Sequence, residues 1–222
     1  MIALLRTGGM RMPQFREVLE ISEDGAFEMW RSVSMASALP SPIGRFAGHV
    51  PDKQHKALAA AAKRAAAGGS QTSVISPDSP VDRIQVDGVT ATLGIHDSGE
   101  GSWSDIAKPL RALLKDLTES PDAAIALEVD GGAKLVHRGT KPLELDLSKL
   151  TIKAVQWRGG STEAQWAGRV TDRGVESASL GWSLELPFDH GFTIRDGDRI
   201  TATVTFSARD KDRLVPVSLQ TP

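Results

Sequence analysis

The chain's five histidines, His49, His55, His96, His137 and His190, are its first candidates for acid–base or metal chemistry. No two of them stand at metal-ligand spacing, and His55 has no second histidine four residues on, so the two-histidine zinc-protease pattern is absent. The densest local cluster of titratable groups is His96-Asp97 beside Gly99-Glu100-Gly101. An imidazole and two carboxylates at a strand end could act as a general base or hold a metal, but the same residues make an ordinary polar turn before a helix. Gly99-Glu100-Gly101-Ser102-Trp103-Ser104 imitates the start of a dinucleotide loop, yet the third glycine and a following βαβ unit are missing. There is no Gly-x-Ser-x-Gly elbow and no phosphate-loop lysine motif. Asp196-Gly197-Asp198 and Asp210-Lys211-Asp212 lack the ligand spacing and bidentate Glu of a calcium loop, and the first is explained by a hairpin turn. Glu144, Asp146 and Glu185 alternate with apolar residues, as solvated strand faces do. The sequence therefore assigns no catalytic residue, no metal and no cofactor.

A different kind of candidate lies in residues 35–50, a stretch rich in Ser, Pro and Gly that fits no period and reads as a long loop. Leu39, Pro40, Ile43, Arg45 and Phe46 within it are the candidate binding residues. Apolar groups with an arginine suit a contact surface, because such residues dominate protein interfaces. The competing reading is that Ile43 and Phe46 fold back over a sheet as core.

The elements that would position these residues fall into two halves. Strand patterns at 2–6, 15–22 and 26–34 surround a Glu23-Asp24-Gly25 turn and read as a meander. Pro51-Asp52 opens an alanine-rich run closed by Gly68-Gly69, the proline-first, glycine-last asymmetry of a helix. Strands at 72–76, 81–86 and 89–95 follow, with an Asp87-Gly88 turn. Ser102 and Asp105 resemble a capping box for a helix whose face is Ile106, Leu110, Leu113, Leu114 and Leu117. After a linker at 118–122 no helical period recurs. Short strand candidates at 124–129, 133–138, 143–147, 151–158, 165–170, 180–186, 192–195, 200–208 and 214–219 read as an antiparallel β-sandwich of the immunoglobulin-like kind, with Trp157, Trp166 and Trp182 in its core. The expectation is an α+β protein: an N-terminal antiparallel sheet with two helices on one face (1–120), then an all-β sandwich (121–222).

Composition sets limits. At 222 residues the chain is long enough to bury about 70% of its surface without staples, and with no cysteine it has no disulfide or thiolate site. Lys and Arg number 26 against 28 for Asp and Glu, spread evenly over both halves, so no basic face for nucleic acid is implied. No apolar run reaches membrane-spanning length, and no secretory leader pattern opens the sequence, so a cytoplasmic protein is expected.

Ile2-Ala3-Leu4-Leu5-Arg6-Thr7-Gly8-Gly9 runs into a second strand, and Pro51-Asp52 introduces the first helix. The hairpin from Asp82 to Leu93 and the closing helix around Pro109-Leu110-Arg111-Ala112-Leu113-Leu114 follow. By these features the N-terminal half resembles emfourin, a family of small protein inhibitors of thermolysin-like metalloproteases. The resemblance is one of turn and core pattern. It covers residues 1–120 and implies the fold and an inhibitory role; residues 121–222 lie outside it. The leading expectation is a non-catalytic protein-binding protein with a metalloprotease or other protein partner. The alternatives are an enzyme with dispersed residues around His96 in a cleft between domains, and an assembly module that pairs through its sheet edges.

Overall fold

The structure, a computed structural model, describes residues 1–8, 15–33, 42–75, 79–94, 101–119, 121–129, 133–187, 191–193 and 195–220. It is mixed α+β and strand-rich, with two helices among the described residues and its strands in two sheets. The chain divides into two compact units, Met1–Arg31 with Arg45–Asp122, and Ser32–Gly44 with Ala123–Pro222.

In the first unit, β1 (Ile2–Thr7), β2 (Phe15–Ile21) and most of β3 (Ala26–Val33) and β4 (Ile43–His49), whose residues 32–33 and 43–44 belong to the second unit, precede helix α1 (Asp52–Ala67). β5 (Gln71–Thr72), β6 (Val81–Val86), β7 (Val89–Gly94) and helix α2 (Ser102–Leu117) follow. The strand order is β4-β3-β2-β1-β6-β7-β5. Register explains the core: Leu4 stands opposite Leu19 and Ile84, and Ile2 opposite Ile21 and Val86, so one face of three strands is apolar. α1 buries Leu58, Ala61, Ala62 and Ala65, one helical face of mostly small residues. Each buried methyl contributes about 0.8 kcal/mol, against about 1.5–3 for Leu58, so this helix depends on its neighbours. α2 is richer, burying Trp103, Ile106, Leu110, Leu113, Leu114 and Leu117, which hold it helical through Pro109 in its interior. The indole N–H of Trp103 donates to Gly69 O at 2.8 Å, fastening the start of α2 to the end of α1.

Two local expectations for this unit need correction. The capping box does not form: Gly101 is the N-cap, no side chain caps the helix, and Asp105 instead lies 3.8 Å from exposed Arg64. Residues 43–49 are not loop but strand β4. Gly44 concealed it, because its φ of +129° interrupts the alternation. A Cβ there would stand 2.4 Å from Ala123 O, so the backbone of residues 123–124 packs where a side chain would be.

In the second unit, β8 (Pro121–Val129) and β9 (Ala133–Gly139) lead to β10 (Leu143–Arg158), β11 (Ser161–Arg169) and β12 (Val175–Ala178). β13 (Ser183–Leu186), β14 (Arg199–Asp210) and β15 (Arg213–Gln220) complete it. β8, β9 and β13 lie side by side, and a five-stranded sheet runs β11-β10-β14-β15 with β12 also on β10. The two strands expected at 143–147 and 151–158 are one long β10. Its register slips against β14 between Asp146 and Thr151, where Asp146 Oδ1 accepts from the Ser148 N–H at 3.0 Å and hydroxyl at 2.6 Å. That exposed bulge reads as a strand break in the sequence. β12 was not anticipated, and Phe192 and Thr193 are not in a strand. Trp157, Trp166 and Trp182 are half-buried rather than core. The core here is mainly aliphatic, with Leu145, Leu147, Leu150, Ile152, Val204 and Val217 almost wholly enclosed beside the aromatic Phe206.

Candidate functional sites

The alternation that buries Ile2 and Leu4 of β1 carries Arg6 onto the same covered face. Its cross-strand partners are Glu17 on β2 and Asp82 on β6. Arg6 Nε donates to Asp82 Oδ1 at 2.7 Å and Nη2 to Oδ2 at 3.3 Å, while Arg111 of α2 donates from Nε to Asp82 Oδ2 at 2.6 Å. Arg111 Nη2 also donates to Gly94 O at 3.1 Å. Arg6 Nη1 lies 3.6 Å from Glu17 Oε2, and Arg31 Nε lies 3.2 Å from Glu17 Oε1, close enough for an ion pair but not aligned for a hydrogen bond. Asp82 is fully buried. Both oxygens of Asp82 accept from guanidinium donors, so this cluster braces two strands and a helix.

A second arrangement lies wholly in the second unit. β10 and β14 pair Trp157 with Arg199, and the Trp157 indole N–H donates to Thr201 Oγ1 at 3.0 Å. With Gly160 these residues line a cleft of about 400 Å³. Behind it, Arg158 holds Asp198 by two hydrogen bonds, Nε to Oδ1 at 2.8 Å and Nη2 to Oδ2 at 3.0 Å. Gln156 Nε2 donates to Asp198 Oδ2 at 2.6 Å and to Thr193 O at 2.9 Å, and the Arg195 N–H donates to Oδ2 at 2.9 Å. The Arg158 hydrogen bond foremost, then the Arg195 N–H, holds the Asp198 carboxyl well below the usual carboxylate range, against the opposing effect of burial. The same contact raises Arg158.

The candidate binding residues are split by this structure. Ile43 and Phe46 are 1% and 0% exposed, so they serve as core and cannot form a contact surface as they stand. Both lie in β4, where Gly44 at φ +129° breaks the alternation, so two residues three apart are both enclosed. Arg45, between them, is half-buried, and its Nε has no hydrogen-bond partner among the described residues. Leu39 and Pro40 lie outside the described residues, as do His96, Asp97 and Glu100 of the possible general-base cluster. Asp198, set aside in the sequence as a calcium ligand and explained there by a hairpin turn, turns its side chain inward. Among the described residues no group of three or more His, Asp or Glu could hold a metal ion. No described helix is long and apolar enough to cross a membrane.

The sequence reading passed over the Asp82 cluster and Gln156. A signal was present: Asp82 stands in phase with Ile84 and Val86, and Gln156 with Ile152 and Ala154, at positions where alternation asks for an apolar residue. Comparison with known families, curated proteins and solved structures finds no match to this chain.

Proposed function

We propose that the chain is a non-catalytic protein-binding protein whose N-terminal half, residues 1–120, inhibits a thermolysin-like metalloprotease, as its resemblance to emfourin implies. The observation that supports this reading is the brace on Asp82, which joins β1, β6 and α2 through Arg6 and Arg111. A protein that occupies a protease cleft without being cut must resist local opening, and preorganisation lowers the ordering cost of association. Arg45, with Leu39 and Pro40, is the contact set that this reading retains. The proposal includes the finer layout read from the sequence: two helices on one face of the first sheet, a second-unit β-sandwich, and a cytoplasmic setting.

The test is titration of thermolysin-like proteases with the full chain. Stoichiometric loss of peptidase activity, with the chain recovered uncut, is expected. An intact protease at excess chain across that class removes the reading.

A further inference from the structure

We propose that the cleft between Trp157 and Arg199 is a binding site for a small aromatic carboxylate, one flat ring bearing one carboxyl group. The site lies within the second unit and is independent of the inhibitor reading. Its volume of about 400 Å³ falls in the range of small-molecule sites.

Its polar groups are of one kind. Arg199 is exposed, and its side chain makes no ion pair or hydrogen bond among the described residues. Thr201 is only 7% exposed, and its oxygen is occupied as acceptor by the Trp157 N–H. Its own hydroxyl proton has no acceptor among the described residues and remains available to a ligand. No carboxylate is among the described lining residues. The adjacent Asp198 is enclosed and already engaged by Arg158 and Gln156, so it does not neutralise Arg199. The described lining residues offer donors and a cation without an acid, and such a lining selects an anion. One guanidinium fork and one hydroxyl match the two oxygens of a carboxylate better than the three of a phosphate.

The other described lining residues are Trp157 and Gly160. The indole N–H is used internally, which fixes the Trp157 ring and leaves its face, not its donor, to the ligand. Trp157 and Arg199 are directly opposed across β10 and β14, where side chains stand roughly 5 Å apart at Cβ. A ring stacked on Trp157 therefore brings its carboxylate to Arg199. Gly160 closes the hairpin beside it at φ +83°, and a Cβ there would meet nothing within 4 Å, so this side of the cleft is open.

The probes are phenylacetate and indole-3-acetate, titrated into the full chain by ligand-observed NMR and calorimetry. Binding with Kd on the order of 0.1–1 mM is expected for ligands of this size. Phenylacetamide, equal in shape but uncharged, should bind at least tenfold more weakly. Arg199→Gln should weaken phenylacetate at least tenfold with an unchanged melting temperature, whereas Arg169→Gln, on β11, should leave it unchanged. Trp157→Phe, which keeps a ring, should retain more affinity than Trp157→Leu in folded protein. Equal binding of the amide, full binding by Arg199→Gln, or no binding of either carboxylate at 10 mM overturns the proposal. Tighter binding of a short peptide ending in a free phenylalanine carboxylate than of phenylacetate overturns the small-molecule assignment.

Discussion

Asp82 of β6 faces Arg6 of β1 in direct cross-strand register, and the 2.7 Å bond between them is buried beneath α2, which supplies Arg111 to the same carboxylate. A sheet position that could hold leucine holds instead the anchor for two strands and a helix. Removing one member leaves the others charged and enclosed.

Asp82→Asn should accordingly destabilise the first unit by about 3–5 kcal/mol, since two guanidiniums lose the buried carboxylate that joins them. Arg64→Ala, which removes only the exposed 3.8 Å contact with Asp105, should change stability by less than about 0.5 kcal/mol. Urea midpoints of the two variants against wild type measure the contrast. Similar midpoints would show that the cluster does not brace the unit.

Phe46→Ala should cost about 3–5 kcal/mol, because a wholly enclosed ring leaves a cavity. For a chain of this size that lowers the melting temperature by roughly 6–20 °C. Arg45→Ala should leave melting almost unchanged and weaken protease inhibition about tenfold or more. Thermal melting and inhibition measured on the same preparations separate core from contact.

Gly44→Ala should destabilise by more than about 2 kcal/mol, since the new methyl would sit 2.4 Å from Ala123 O as well as at φ +129°. Gly88→Ala, at φ +86° with open space around it, carries only the backbone strain, about 1 kcal/mol. Denaturation of both variants tests whether close approach, rather than left-handed backbone, makes residue 44 glycine.

The Asp198 carboxyl is depressed in the folded chain relative to its ordinary value of about 4. Its contribution to stability is therefore present above that value and is lost as the pH falls through the lower folded one. Wild type should lose stability between pH 5 and pH 2 more steeply than Asp198→Asn, with Arg158 kept in place. Urea unfolding over that range reads the slopes, and parallel slopes would show that the hydrogen bonds to Asp198 do not favour its charged form.

Local chemistry made much of the fold legible. Alternation and Asp-Gly turns marked β1, β6 and β7, and the leucine face of α2 announced its helix, because each signal depends on residues close in the chain. Gly44 defeated the same reading in β4, since what demands glycine there is the backbone at Ala123, far away in sequence. The bulge at Ser148 likewise split β10 on paper, while pairing with β14 carried the strand through it. The sites were less legible still. Arg6, Asp82 and Arg111 drew no assignment of their own from the sequence, and Trp157 read as core. Only strand register and helix docking decided that the three charges share one enclosed cluster and that Trp157 stands beside Arg199 at a cleft. Sequence specifies which face of a strand a residue occupies; which residues from distant strands meet on that face is settled by pairing, and it is their meeting that removes water from a charge or leaves one open to a ligand.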